Sequence, residues 1–361
     1  MNACAIAVGI ATVICLTLIP PDEASASLYT PDMIANARRN IERYPWAQGQ
    51  RDRAINRAKR WVALEDEALW RLVVGQDTPR CIDVTMTRGK RMGCINCGDD
   101  VFNFGNYPYK PDCLTMAWKI KCPSCDEIYP KNDFAAFYES ALDEQGLFDV
   151  DLGDRSLLFN AEHPDPNDPL HEFGVDDGFG YHDDEGFEHR YIGYYGHSGL
   201  WVKLLSAARD LSGAYILTGE QIYAHKCAIL LNRVADVYPD MDWAPYAERG
   251  WFHSDGGSNM GKIQGRIWET GTVSTLAEAY DRIKLGVADD DELFAFLAEK
   301  STTCKLPTPV TDHESFCNHL DDHILREGAN AVLNKQAWGN EGMHQSAMAR
   351  CAIALDQEPE T

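Results

Sequence analysis

Apolar residues recur every three or four positions along most of this chain, and that spacing predicts a mainly helical protein. Two helices are predicted at 31–44 and 48–70. Beyond residue 200 the same spacing predicts six more, the last of them at 341–355. A short turn at 218–220 separates the first two of these six, and short connections make neighbouring helices antiparallel. Stacked antiparallel pairs predict an α/α toroid or solenoid.

Two stretches lack the helical spacing. The segment 81–134 is rich in Gly, Asn, Tyr and Pro, which is typical of short strands and turns. The segment 135–190 is irregular, and its three prolines within the stretch 163–169 exclude a helix there. The helical chain is therefore predicted to carry a small β insertion.

The N-terminus has the pattern of a secretory signal peptide. Residues 5–19 form an apolar stretch too short for a membrane span, and Ala24-Ser25-Ala26 is a small-x-small cleavage site, although no Lys or Arg precedes the apolar stretch. We expect a periplasmic or secreted protein with no stable membrane span once the signal is removed. The predicted segments are the signal peptide at 1–26, N-terminal helices at 27–80, the insertion at 81–134 and the main helical domain at 135–361.

The formal charge of −23 argues against nucleic-acid binding, because a phosphate backbone would be repelled. The acidic excess is local, since 139–190 holds sixteen Asp and Glu against two Arg. This pattern is typical of a solvated acidic loop region. Calcium at Asp176-Asp177 or at 183–185 is an alternative.

Two Cys-x-x-Cys motifs are the strongest chemical signal. Cys94 and Cys97 form the first, and Cys122 and Cys125 form the second, with 24 residues between the two motifs. Four thiolates with this spacing fit one tetrahedral zinc ion, so the insertion is predicted to resemble a zinc ribbon. Four Cys ligands leave no position for water, which predicts a structural Zn²⁺. In an exported protein the same cysteines could form disulfides or serve a redox role.

Three segments, taken with their order and spacing, carry a family resemblance. They are Tyr191-Ile192-Gly193-Tyr194-Tyr195-Gly196-His197 before Leu200-Trp201, then Ala214-Tyr215-Ile216-Leu217-Thr218-Gly219-Glu220, and Gly339-Asn340-Glu341-Gly342-Met343-His344-Gln345. In these segments the chain resembles the bacterial heparinase II/III-like polysaccharide lyases. The resemblance implies an incomplete α/α toroid, with a C-terminal β domain and some catalytic residues lying beyond this sequence. It also implies an anionic polysaccharide as substrate.

Such lyases cleave uronic-acid-containing polysaccharides by β-elimination, in which protein groups must neutralise the substrate carboxylate. The resemblance assigns this catalytic role to Asn340, His344 and Glu341. Residues that could bind the sugar chain are Tyr194, Tyr195, His197, Trp201, Arg266 and Gln345. Each has an ordinary structural alternative: helix capping for Asn340 and Glu341, a half-buried side chain for His344, helix packing for the aromatic residues, and solvated charge for Arg266.

The leading hypothesis is an exported polysaccharide lyase, or a fragment of one. A non-catalytic glycan-binding toroid is the second hypothesis. A glycoside hydrolase on a similar scaffold is the third, and it would need two carboxylates across a cleft.

Overall fold

The structure is a computed structural model that describes residues 27–87, 90–251 and 258–355. The predicted signal peptide lies outside the described residues. Within those ranges, no helix is both long enough and apolar enough to cross a membrane.

The chain begins with three helices, α1 (Pro31–Arg43), α2 (Pro45–Val62) and α3 (Asp66–Trp70). Thr30 caps α1 by accepting a hydrogen bond from the Met33 N–H at 3.3 Å. The prediction of one helix over 48–70 is wrong, because the helix breaks after Val62. The Lys226 ammonium donates to the Leu64 carbonyl at 2.6 Å, so a tertiary contact holds the break in place.

The insertion and the irregular segment contain only short elements. They are β1 (Met86–Thr87), β2 (Lys90–Arg91), a 3-10 helix at Asp99–Phe104, β3 (Ile120–Lys121), β4 (Ile128–Tyr129), α4 (Phe134–Ser140), 3-10 helices at Val150–Leu152 and Arg155–Leu157, β5 (Tyr181–His182) and β6 (Glu188–His189). The strands form three separate antiparallel pairs, β1 with β2, β3 with β4 and β5 with β6.

Helices dominate the remainder. They are α5 (Tyr191–Tyr194), a π-helical segment at Tyr195–Trp201, α6 (Val202–Thr218), α7 (Gln221–Val237), a 3-10 helix at Tyr238–Asp240, α8 (Ala244–Glu248), α9 (Arg266–Ile283), α10 (Asp291–Thr303), α11 (His313–Leu320), a π-helical segment at Asp321–Arg326, α12 (Glu327–Leu333) and α13 (Met343–Leu355). The prediction of a mainly helical protein is confirmed. The last helix begins at Met343, two residues later than predicted, and Arg266 is the first residue of α9, not part of the preceding loop.

Helix α6 is central, since α2, α7 and α9 all pack against it. Helix α9 then packs against α13, which also contacts α12. The predicted turn between α6 and α7 is confirmed: Gly219 has φ +76° and donates its N–H to the Tyr215 carbonyl at 2.7 Å. A left-handed residue of this kind is a common helix end, and glycine adopts it without a Cβ clash. The toroid arrangement stays a prediction.

Among the described residues, the larger of two hydrophobic clusters joins the insertion to the helices. Ile120 and Tyr129 from the insertion belong to the same buried cluster as Leu204 and Leu276 from α6 and α9. The segment 81–134 therefore shares its interior with the helices.

The buried Asp176 ties the irregular segment to α5. Its carboxylate accepts hydrogen bonds from the Gly178 and Gly180 N–H groups at 2.8 and 2.9 Å, and from the Ile192 N–H at 3.1 Å. Asp183 likewise accepts from two backbone N–H groups and contacts His189 at 2.8 Å. These carboxylates have internal hydrogen-bond partners, which is a structural role and not the calcium role considered from sequence.

The buried Asp176 is expected to make the free energy of unfolding depend on pH. Burial raises the pKa of its carboxyl to about 6, although three backbone N–H groups act in the opposite direction. The unfolded carboxyl ionises near pH 4, so between about pH 4 and 6 the unfolded chain holds fewer protons than the folded one. The stability that this group contributes below pH 4 is therefore lost as the pH rises through 6, by about 3 kcal/mol.

Urea unfolding of the wild type and of Asp176→Asn at pH 4 to 7 checks this. The variant lacks one acceptor toward Ile192, so it should be less stable by about 1–3 kcal/mol at low pH. The difference between the two proteins should shrink as the pH rises. A difference that stays constant with pH would contradict the assignment.

Candidate functional site

The first Cys-x-x-Cys motif is a tight backbone loop. The Cys94 N–H donates to the Gly98 carbonyl at 3.0 Å, and the Gly98 N–H returns a bond to the Cys94 carbonyl at 2.8 Å. A Cβ on Gly93 would lie 2.1 Å from the Gly98 carbonyl oxygen, so only glycine fits at 93. The loop thereby places the Cys94 and Cys97 sulfurs on one side.

The second motif lies between β3 and β4. The Cys122 N–H donates to the Glu127 carbonyl at 2.8 Å, and the Asp126 N–H donates to the Cys122 carbonyl at 3.0 Å. Asp126 has φ +65°, a left-handed conformation that Asp tolerates better than most residues. The two motifs thus form similar loops from different flanking structure.

The four sulfurs meet in one cluster, where all lie within 4.8 Å of one another. Cys94 Sγ is 3.8 Å from Cys125 Sγ, and Cys97 Sγ is 3.7 Å from Cys122 Sγ. A tetrahedral ion with metal–sulfur bonds of about 2.3 Å requires sulfurs about 3.8 Å apart, whereas a disulfide bond is about 2.05 Å long. The cluster is therefore compatible with a zinc site. Among the residues that the structure describes, no other group of three or more His, Cys, Asp or Glu could hold a metal ion.

Two buried tyrosines, Tyr109 and Tyr129, lie near the sulfur cluster. Burial first, and then the nearby Cys94 sulfur, raise the pKa of both hydroxyls well above the ordinary value. Both phenols therefore stay neutral.

The insertion at 81–134, which holds both Cys-x-x-Cys motifs and is called the cysteine module below, packs against the segment Tyr191–Trp201. The Tyr194 hydroxyl donates to the Tyr109 carbonyl at 2.9 Å, and the ring of Tyr129 stacks on that of Tyr191 at 4.6 Å and 8°. Trp118 contacts the ring of Tyr195 at 5.1 Å. These contacts hold the module onto the start of the long helical region.

The same contacts decide where four of the predicted sugar-binding residues lie. Tyr194, Tyr195, His197 and Trp201 are only 3, 1, 5 and 0% exposed. We expected that they could line a sugar cleft, but the structure places all four in the interior, and Tyr194 and Tyr195 lie against Tyr109 and Trp118 of the insertion. The alternative considered from sequence was packing between helices. For Tyr194 and Tyr195 the structure shows packing against the insertion instead.

The exposed turn before α13 carries the predicted catalytic residues Asn340 and Glu341. The Asn340 carbonyl accepts from the Met343 N–H at 3.0 Å, and the Gln345 side chain accepts from the Gly342 N–H at 2.8 Å. Gln345 therefore helps to begin α13. Asn340 precedes the helix and faces solvent, while His344 is inside the helix and buried, so the two do not share one helical face.

His344 stacks beneath Trp338. The two rings are 3.8 Å apart with an angle of 18°, and Trp338 remains 37% exposed. The backbone N–H of Trp338 donates to the Arg266 carbonyl at 3.1 Å, which joins this segment to the start of α9. The Lys335 ammonium lies 5.7 Å from the centre of the Trp338 ring. We call Arg266, Lys335, Trp338 and His344 the Trp338 surface.

Two buried polar atoms of the Trp338 surface have no hydrogen-bond partner in the part of the chain that the structure describes. They are Nδ1 of His344 and Nε of Arg266. Buried polar atoms are usually paired with protein or water, so these two can take a further hydrogen-bond partner. Sequence reasoning found Arg266 and His344 but missed Trp338 and Lys335. A Trp immediately before the Gly339-Asn340 motif was the available signal.

Comparison of the chain with protein-family models, with curated proteins and with solved structures finds no match. The resemblance to heparinase II/III-like lyases therefore stays a prediction from the three sequence segments.

Proposed function

We propose that this chain acts on an anionic, uronic-acid-containing polysaccharide, as a polysaccharide lyase or part of one, and that it binds the polymer at the Trp338 surface. One observation carries the proposal: His344 lies under an exposed tryptophan with an unpartnered Nδ1 among the described residues. An exposed aromatic face next to cationic groups suits a sugar ring that bears a carboxylate.

The chemistry assigns a role to each group. The face of Trp338 stacks on a pyranose ring, and the charges of Lys335 and Arg266 attract the polyanion to an acidic protein. His344 donates a hydrogen bond to the uronate carboxylate, so that negative charge can build there when a base removes the C5 proton. Asn340, on the exposed turn, offers a further amide donor to the bound polymer. Glu341 contacts a sugar hydroxyl.

We also propose that the four-cysteine cluster holds Zn²⁺ in a structural role and that the protein is exported. The sulfur spacing supports the metal, and the N-terminal sequence supports export. With four thiolate ligands the ion supplies no open position, so its part is to hold the module against the helices.

Removing the side chains of Asn340 and His344 tests the site. We expect Asn340→Ala together with His344→Ala to lower turnover of a responsive polyuronate about 10²–10³-fold, the usual effect of losing a preorganised donor. Trp338→Ala should weaken binding about tenfold, because an aromatic contact contributes on the order of 1 kcal/mol. The control is Leu333→Ala, which removes an apolar side chain that is 69% exposed nearby and should change neither quantity.

The product identifies the reaction. Elimination creates an unsaturated uronide that absorbs in the ultraviolet, whereas hydrolysis releases reducing ends without that absorbance. Binding that depends on Trp338 with neither product would favour the non-catalytic glycan-binding protein. Binding and turnover that are unchanged in all the site variants would refute the proposal.

A further inference from the structure

Two aromatic rings are exposed where α1 meets α2. Tyr44 is 46% exposed and Trp46 is 63% exposed. Their rings stack at 6.2 Å with an angle of 18°, so they present nearly parallel faces. Tyr44 is extended, and Pro45 starts α2 immediately after it, which fixes both rings at the corner. Such large apolar groups at the surface usually mark a contact site.

Two arginines flank these rings. Arg43 is the last residue of α1, directly before Tyr44. Arg53 lies two turns along α2 from Trp46, on the same side, and its Nη1 is 3.5 Å from the position that a Cβ on Gly49 would occupy. The guanidinium thus lies over Gly49, which is one turn from Trp46 on α2. We call Arg43, Tyr44, Trp46 and Arg53 the basic aromatic corner.

The two corner arginines differ from others on the same helices. Arg38 donates to the Ile216 carbonyl at 3.0 Å, Arg57 pairs with Asp210 at 3.2 Å, and Arg60 binds Asp112 at 2.9 Å. Within the described residues, Arg43 and Arg53 are exposed and form no ion pair. Their charges are therefore available to a partner.

The charge of this region runs against that of the chain. Between Pro31 and Val62 there are eight Lys and Arg against three Asp and Glu, in a protein whose formal charge is −23. A local positive field of this kind attracts an anionic partner, whereas the acidic remainder of the protein repels it. Charge complementarity thus restricts the partner to a polyanion or an anionic surface.

From this combination we infer that the basic aromatic corner is a second, non-catalytic binding surface for the anionic polysaccharide. The inference rests on the proposed function, because it names the same substrate class. Flat exposed rings beside guanidinium groups repeat the chemistry of the Trp338 surface. A lipid surface fits less well, because Met33, near the other end of α1, is the only large aliphatic side chain strongly exposed on the described α1 and α2.

The position of the corner defines what it contributes. Arg38, on the helix that ends at the corner, binds the Ile216 carbonyl near the C-terminal end of α6, and Arg282, near the C-terminal end of α9, contacts Ser212 of α6. Arg266 of the Trp338 surface is the first residue of α9, so that surface lies at the other end of this helix. Helix α9 has 18 residues, and a helix of that length spans about 27 Å, so the two surfaces lie about one helix length apart. A long chain that contacts both surfaces gains effective affinity, because its second contact is intramolecular.

The test compares polymer length. Alginate, hyaluronan and heparin are measured as long chains and as four-sugar fragments, by calorimetry with the full chain. Arg43→Ala with Trp46→Ala is the corner variant. Arg51→Ala with Met33→Ala is the control, since it removes one charge and one exposed apolar side chain on the same helices. Vesicles that contain phosphatidylglycerol are the competing target.

We expect the corner variant to lose about tenfold in affinity for the long chain of at least one polymer, with less than twofold change for its four-sugar fragment. The control should match the wild type, and added salt should narrow the difference. The inference would be overturned if the corner variant bound all three long polymers as tightly as the wild type, or if the wild type bound none of them. A loss of affinity confined to vesicles would also overturn it. If Trp338→Ala has no effect while the corner variant still loses long-chain affinity, the proposed function fails and the corner stands.

Discussion

If the four-cysteine cluster holds the proposed Zn²⁺, replacing Cys122 by serine is expected to release the ion and to lower the free energy of unfolding by about 5 kcal/mol or more. Structural zinc contributes about 10–16 kcal/mol in small zinc-binding peptides, and a serine hydroxyl is a poor substitute for a thiolate ligand. Cys122 is fully buried in the shared core, so the loss extends beyond the loop itself. Metal analysis by mass spectrometry together with thermal unfolding measures both effects.

Cys113 supplies the matched control. It is also buried and lies in the same module, yet it is outside the four-sulfur cluster. Burial raises the pKa of its thiol to about 11, so it stays a neutral thiol. Cys113→Ala should keep one metal ion per chain and lose only the small free energy of a modest cavity. A Cys122→Ser protein that retains the metal in full would disprove the four-cysteine site.

Trp201→Ala is expected to destabilise the protein by about 3–5 kcal/mol, the usual loss for a large aromatic side chain in a core. Trp201 has no exposed surface and lies at the end of the π-helical segment that leads into α6. Trp338→Ala, by contrast, should change stability by less than about 1 kcal/mol, because that ring is already partly in water. Urea unfolding followed by circular dichroism compares the two.

This pair of variants also separates the two interpretations of the segment Tyr191–Trp201. The structure makes it the surface on which the cysteine module packs. If Trp201→Ala unfolded like the wild type but failed to bind polysaccharide, the cleft predicted from sequence would be correct instead. Loss of stability with retained binding supports the packing role.

The helical part of the fold could be predicted because its cause is local. Apolar spacing identified α6, α7 and α9, and the sequence Thr218-Gly219-Glu220 marked the turn between α6 and α7. The break after Val62 could not be predicted, since it depends on Lys226, more than 160 residues away. The π-helical segments were also missed, because one extra residue in a turn leaves little trace in the spacing.

The four-cysteine cluster and the predicted sugar-binding residues differ in how far the sequence predicts them. The four cysteines were found because the spacing of a metal site is visible in the sequence, and the sulfurs do meet. Tyr194 and Tyr195 looked like sugar-binding residues because an aromatic run has the same composition in a cleft and in a packed interface. Only the fold shows that Tyr109 and Trp118 cover them. The stacking of His344 beneath Trp338 depends on a tertiary turn that spacing does not encode.

The shared core has a consequence for how the chain can change over evolution. Although the cysteine module interrupts a helical protein, it cannot be exchanged or shortened like a surface loop, because its removal would leave the rings of Tyr191, Tyr194 and Tyr195 uncovered. A lineage that lost the four cysteines would need to replace these tyrosines as well. The four cysteines and the aromatic segment nearly 70 residues further along are thus expected to be kept or replaced together.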